Sequence, residues 1–153
     1  MPDARIVAGR YRLIAKLNEG GMGSVWSAEH MELKCPAAVK LLSSVFAESP
    51  EALARFKREA QAAASLRSTN IVQILDFGLD DGVPYSAMEL LRGRTLGERL
   101  NAEGRIGPCN TALILSQVAR AVTWAHGMGI IHRDLKPSNI FLSQDAGDVV
   151  VKL

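Results

Sequence analysis

His132-Arg133-Asp134-Leu135-Lys136-Pro137-Ser138-Asn139 is the stretch whose reading decides the fold. It follows the apolar pair Ile130-Ile131 and precedes Ile140-Phe141-Leu142, so it is a polar loop held between apolar segments. The run sets a carboxylate, an ammonium and a carboxamide within a short span. Asp134 suits the orienting of a hydroxyl and the acceptance of its proton. Lys136 offers a positive charge to an anionic group, and the neutral amide oxygen of Asn139 suits a hard cation such as Mg²⁺. A surface turn that spells these residues by accident is the competing explanation, and the number of constrained positions argues against it.

Outward from this loop, the first half of the chain reads as short strands with one helix. Tyr11–Leu17, Ser24–Ala28 and Ala37–Leu42 are strand-like, the first two joined by a turn rich in glycine (Gly20, Gly21, Gly23). Ser49 caps a helix predicted from Pro50 to about Leu66, with Leu53, Phe56, Ala60 and Ala63 on one face, ending at Ser68-Thr69-Asn70. Ile71–Leu79 and Val83–Glu89 read as strands around Asp80-Asp81-Gly82, a hairpin signal, and Gly93 closes the pair. Thr95 then caps a short helix to Leu100. A longer helix is predicted over Thr111–His126, with Ile114, Val118, Val122 and Ala125 at helical spacing and Gly127 and Gly129 ending it. Ile140–Leu142 and Val149–Leu153 form a last hairpin. The pattern predicts an α+β fold: a lead-in over 1–10, a first lobe over 11–89, a hinge at 90–94 and a second lobe over 95–153.

The first half carries its own chemistry. In Leu17-Asn18-Glu19-Gly20-Gly21-Met22-Gly23-Ser24-Val25, glycines between two strands let backbone N–H groups approach phosphate oxygens with no β-carbon in the way. Lys40 ends an apolar strand and either snorkels to water or pairs with an acid. Glu59 lies beside the buried stripe of its helix, where an acid usually has a partner, and Lys40 is the expected one. The competing pairing is Glu59 with Arg55 on the helix surface, which is worth only about 0.3–0.5 kcal/mol. Asp76-Phe77-Gly78 spells a metal-binding triplet but lies far ahead of Asp134, so Phe77 is read as a strand residue and Asp76 as its exposed neighbour.

The bulk numbers limit the alternatives. A length of 153 residues suits one domain, 48% hydrophobic residues are enough for a core, and a net charge of +2 is too small to imply a nucleic-acid or membrane partner. Cys35 and Cys109 lie far apart with no partner at ligand spacing, as expected of free thiols in a reducing compartment. The opening residues carry charge and no apolar run follows, and charge or glycine breaks every apolar stretch. The expectation is a cytoplasmic chain without a membrane segment.

Together these motifs resemble the eukaryotic-like protein kinases, in wording closest to bacterial Ser/Thr kinases, from about Gly9 to Leu153. The resemblance implies an α+β kinase-like fold: a complete first lobe of antiparallel sheet plus one helix, then the first, truncated part of a helical second lobe. It implies ATP and Mg²⁺ as cofactors and a protein with Ser or Thr hydroxyls as substrate. Asp134 matches the catalytic aspartate, Lys136 the phosphate-contacting lysine and Asn139 a Mg²⁺ ligand. Lys40 matches the lysine on the α- and β-phosphates, with Glu59 its helix partner. Gly20 and Gly23 match glycines of the phosphate-covering loop. Leu17, Val25, Ala38 and Phe141 would contact adenine, Met88 falls at the gatekeeper position, and Glu89 to Leu91 matches the hinge. Arg133 resembles the arginine that engages a phosphorylated activation loop.

Two departures modify the expectation. Asn18 stands where the family usually has its first glycine, and asparagine tolerates left-handed backbone better than most residues. Weakened phosphate contact is expected. After Leu153 the family would continue into Asp-Phe-Gly, whose aspartate is the principal Mg²⁺ ligand. The leading expectation is therefore an N-terminal piece of a Ser/Thr kinase that binds nucleotide weakly and transfers phosphate poorly or not at all. The alternatives are a non-catalytic nucleotide-binding fragment, a module that docks on another kinase chain through an exposed helical face, or an incomplete reading frame.

Overall fold

The computed structural model describes residues 5–21, 23–43, 49–145 and 148–153. Met22 of the glycine turn lies outside them. The chain forms two compact units, one of residues up to Ser65 with Gln73–Leu90, the other of Leu66–Val72 with Leu91–Leu153.

The first unit is built on strands β1 (Ile6–Val7), β2 (Tyr11–Gly20), β3 (Gly23–His30), β4 (Pro36–Leu42), β5 (Ile74–Asp80) and β6 (Val83–Met88). They form one antiparallel sheet in the order β1-β2-β3-β4-β6-β5. Alternation along the strands gives the sheet two unlike faces. One carries the core of the unit: Tyr11, Leu13, Ala28, Val39, Leu41, Tyr85 and Ala87 are all buried there, with Trp26 packed against them. The other carries Val25 opposite Lys40, and Ala38 opposite Met88. The hairpin between β5 and β6 turns at Asp81 (φ 47°) and Gly82 (φ 80°), the left-handed pair that a two-residue turn requires.

Helix α1 (Pro50–Ser65) begins as expected, with the Ala52 N–H donating to Ser49 Oγ at 3.2 Å. It packs chiefly on β5, at the end of the sheet, with Ala60 its buried residue. Strand β5 starts later than its sequence suggests, because Ile71 belongs elsewhere. Leu66 and Ile71 are buried with Ala121 and Ala125 in the second unit, although continuity along the chain places them with the first.

The second unit holds α2 (Leu96–Glu103), α3 (Pro108–Gly127), a single 3₁₀ turn over Pro137–Asn139, and strands β7 (Gly93–Thr95), β8 (Phe141–Asp145) and β9 (Asp148–Lys152) in one antiparallel sheet of that order. Gly93 opens β7 rather than closing the preceding hairpin. Its φ is 145°, and a β-carbon there would come within 2.1 Å of the Leu142 carbonyl oxygen, so only glycine lets β7 lie against β8. Thr95 caps α2 in a full capping box: Glu98 N–H donates to Thr95 Oγ1 at 3.1 Å, and Thr95 N–H to Glu98 Oε2 at 2.6 Å. Helix α3 starts earlier than its apolar spacing shows, because Pro108 supplies a first turn that needs no N–H. Ile114 and Val118 pack with Ile140, Leu142 and Val151, which fixes the strand that follows the polar loop.

Candidate functional site

Ile140 is the anchor of the loop after α3. It is buried, and its carbonyl accepts the Leu96 N–H at 2.7 Å, tying the loop's end to the start of α2. Upstream of that anchor the backbone turns sharply. Arg133 has φ 62°, and the Asp134 N–H donates across it to the His132 carbonyl at 2.8 Å. A non-glycine residue held in left-handed backbone is uncommon and strained. The turn leaves the Asp134 side chain projecting into solvent, 62% exposed.

Three side chains of the loop converge there. Lys136 Nζ lies 2.9 Å from Asp134 Oδ2. Asn139 Nδ2 donates to the same oxygen at 2.9 Å and to the Asp134 carbonyl at 2.9 Å. Both bonds use the amide nitrogen, so the Asn139 carbonyl oxygen faces away, and among the described residues nothing donates to it. The hydrogen bond from Lys136, helped by that from Asn139 and by the charges of Lys136 and His132, holds the Asp134 carboxyl below the usual carboxylate range. Asp134 is therefore a carboxylate at neutral pH, with an ammonium and an outward-facing amide oxygen beside it.

The first unit places its predicted residues on one face of the sheet. Val25 and Lys40 are direct neighbours across β3 and β4, and Ala38 is opposite Met88 across β4 and β6. Leu17 sits at a bulge in β2 and is exposed. The Glu89 N–H donates to the Gln73 carbonyl at 3.0 Å while its carboxylate accepts the Gln73 N–H at 2.9 Å. In the second unit, Phe141 starts β8 opposite Thr95 and Lys152.

The glycines of the turn divide into two kinds. At Gly23 (φ 135°) a β-carbon would lie 2.0 Å from the Leu41 carbonyl oxygen, so the fold itself demands glycine. At Gly20 and Gly21 a β-carbon would meet nothing within 4 Å. Among the described residues nothing crowds those two positions, so the space beside their backbone is open. Asn18 is an ordinary strand residue opposite Val25, so its tolerance of left-handed backbone is not used.

Three expectations need correction. Glu59 does not meet Lys40: its side chain is 73% exposed and lies 3.7 Å from Arg55 Nε. The helix that carries Glu59 packs chiefly on β5, and β6 separates β5 from the strand of Lys40. With Ala60 turned inward, Glu59 is left on the solvent flank. Asp76 is not an exposed neighbour. Its Oδ2 accepts the Tyr85 hydroxyl at 3.0 Å and lies 3.1 Å from Arg10 Nη2, while the Phe77 N–H donates to its other oxygen at 2.9 Å. Third, Asn70 is no simple helix terminator but a buried clamp. It donates to Gln117 Oε1 and to the Val151 carbonyl, both at 2.9 Å. The signal for it was an amide directly before the apolar Ile71-Val72, where a buried polar group must find partners.

The residues fit ATP and Mg²⁺ in part. The Asn139 oxygen is a hard donor, and Mg²⁺ commonly takes one or two protein oxygens with the remainder from phosphates and water. Among the described residues no cluster of three His, Cys, Asp or Glu side chains exists to cage a metal unaided.

Residues 11–153 match the protein kinase domain family. The chain belongs to the protein kinase family. The Ser/Thr protein kinase PrkC of Bacillus subtilis is 40% identical over 136 residues, which is 89% of this chain and 21% of that protein. The Ser/Thr protein kinase pkn3 of Myxococcus xanthus is 40% identical over 139 residues, 90% of this chain and 25% of that protein. The chain thus spans a quarter or less of these curated relatives. The crystal structure of the Mycobacterium tuberculosis PknI kinase domain matches with a TM-score of 0.84 at 30% identity, covering 100% of this chain and 61% of that one. The kinase fold is thus shown as α+β, with an antiparallel sheet and one helix in the first unit. Among the described residues, no helix is long and apolar enough to cross a membrane.

Proposed function

We propose that this kinase chain binds Mg²⁺ and ATP as part of an enzyme that transfers the γ-phosphoryl group to Ser or Thr hydroxyls of a protein. The observation that carries the reading is the loop in which Lys136 and Asn139 both bond one oxygen of Asp134 at 2.9 Å. Phosphoryl transfer asks a protein mainly to position groups and neutralise charge. Asp134 orients the attacking hydroxyl and takes its proton, and Lys136 stands ready for the charge of the transferring group. Asn139 Oδ1 is the residue that would hold Mg²⁺, and the metal when bound supplies charge neutralisation at the phosphates. The open backbone of Gly20 and Gly21, with Gly23, covers phosphates, and Lys40 pairs with them. Leu17, Val25, Ala38, Met88 and Phe141 offer apolar surface to adenine, and the backbone of Glu89 to Leu91 offers it hydrogen bonds.

Glu59 joins Lys40 only if α1 turns. The exposed Arg55–Glu59 pair that must break is worth about 0.3–0.5 kcal/mol, so it opposes the turn weakly. With Asn139 as the oxygen donor and Glu59 away from Lys40, residues 1–153 bind nucleotide weakly and transfer slowly. Labelled ATP with Mg²⁺ and casein tests this. Robust incorporation that disappears in Asp134→Ala would sink the claim of slow transfer, and an absence of nucleotide binding would sink the whole reading. The cytoplasm, where ATP is abundant, is the proposed compartment.

The surface of α3 favours a second reading, docking on another kinase chain. Leu113, Leu115 and Trp124 on this helix are exposed, as is Met128 just beyond it. Trp124 and Met128, four residues apart, lie near one another at the end of the helix, and exposed apolar side chains of this kind mark an interface or an aggregation liability. A chain that sediments as a monomer at all accessible concentrations and captures no kinase domain overturns it.

A further inference from the structure

At the base of the glycine hairpin, Lys16, Glu19, Ser24 and Trp26 form a connected cluster that the nucleotide reading leaves unused. Lys16 is directly opposite Trp26, and Glu19 is opposite Ser24. In a regular strand, residues three apart point to opposite faces. A bulge between Lys16 and Asn18 gives β2 one extra residue, and this brings Lys16 and Glu19 to the same face. There the Lys16 ammonium lies 2.9 Å from Glu19 Oε2 and 5.3 Å from the centroid of the Trp26 ring. Ser24 and Trp26, two apart on β3, share that face, and the indole N–H donates to Ser24 Oγ at 2.9 Å.

The placement matters for two reasons. Trp26 is anchored, because its ring packs on the core cluster of Leu13, Ala28 and Val39. Its N–H therefore has a fixed direction, and Ser24 is where it ends. Ser24 in turn follows Gly23, the residue whose backbone is pressed against Leu41. The cluster thus ties the rigid core to the strand end of the hairpin, on the face away from Val25 and Lys40. It also turns the Ser24 hydroxyl off the face that the nucleotide would use.

We infer that Trp26 is a positioning residue for the nucleotide phosphates: through Ser24 it fixes the backbone of the glycine hairpin without touching the ligand. The inference rests on the reading of this hairpin as a phosphate cover. Trp26→Phe keeps the aromatic packing and the ring beneath Lys16 while removing the N–H, and Ser24→Ala removes the acceptor. Two quantities are measured in each variant: amide hydrogen exchange at Gly20, Gly21, Gly23 and Ser24, and affinity for the non-hydrolysable analogue AMP-PNP with Mg²⁺. Each variant is expected to raise exchange at Gly23 and Ser24 and to weaken AMP-PNP by about three- to tenfold, the worth of one hydrogen bond. The double variant is expected to be no worse than either single one, because both remove the same bond. Unchanged exchange in Trp26→Phe, additive losses in the double variant, or AMP-PNP affinity untouched by either change overturns the positioning role alone. Failure of the parent chain to bind AMP-PNP overturns the nucleotide reading and the positioning role with it.

Discussion

Replacing Asn70 with alanine removes a carboxamide that seals the free edge of a sheet. Strand β9 pairs with β8 on one side only. On its other side the Val151 N–H donates to Gln117 Oε1 at 2.9 Å, the Val151 carbonyl accepts Asn70 Nδ2 at 2.9 Å, and the Val149 carbonyl accepts Gln117 Nε2 at 3.1 Å. Asn70 is 6% exposed and Val151 0%. The alanine variant leaves the Val151 carbonyl without that partner and out of reach of water, which costs about 1–3 kcal/mol. Gln117 loses a donor but keeps the Val151 N–H, a smaller loss of about 0.5–1 kcal/mol. The expected sum is about 1.5–4 kcal/mol, taken from the second unit. Urea denaturation in a Trp26→Phe background reads this directly, since Trp124 is then the sole indole. With a urea slope of about 1–3 kcal/mol per molar, the midpoint falls by roughly 1 M. Asn70→Asp is the decisive companion. It keeps the shape but sets an acceptor against two acceptors, so its midpoint lies below that of the alanine variant. A midpoint unchanged in Asn70→Ala, or an aspartate variant as stable as the parent, refutes the clamp.

The glycines of the hairpin should separate by thermal denaturation. Gly23→Ala loses about 1–3 kcal/mol from backbone strain alone, whereas Gly20→Ala melts like the parent and shows its effect only in nucleotide affinity. Tyr85 is pushed up to about 12, first by burial and then by its hydrogen bond to Asp76, and burial raises Tyr11 as well. A phenol whose folded pKa is raised contributes stability below the unfolded value and loses it as pH climbs through the folded one. Absorbance at 295 nm should therefore stay flat through the ordinary tyrosine range and rise only further into alkali, and Asp76→Asn should bring the rise earlier. The backbone and hydroxyl of Thr95 hold Glu98 below its ordinary value. Its contribution is present above the unfolded value and fades as pH falls through the depressed one. Thr95→Ala should cost about 1 kcal/mol at neutral pH, and less in a melt at a pH where Glu98 is protonated.

Much of the molecule is legible along the chain because its causes are local. Strand alternation, the Ser49 and Thr95 caps and the Asp81-Gly82 turn depend on residues a few positions apart. The polar loop is legible for the same reason: Asp134, Lys136 and Asn139 lie close in sequence and meet through a single strained turn at Arg133. Glu59 shows the limit. Its helical stripe places it beside the buried face, and the same periodicity permits either Arg55 or Lys40 as partner. The choice falls to the strand on which α1 rests, which no local pattern encodes.

What the sequence alone determined is the family, the α+β fold and the identity of the groups around Asp134, since motif order and spacing survive any arrangement of the elements. Tertiary structure decided which polar side chains are structural. Asp76 became the partner of Tyr85 and Arg10, and Asn70 became the clamp on the edge of β9. It also gave Ser24 to Trp26 rather than to the face of Lys40. Each of these turns on contacts between residues that a strand bulge, a sheet edge or a packed core brings together, and the energy of burying a polar group is set only when its neighbours are in place.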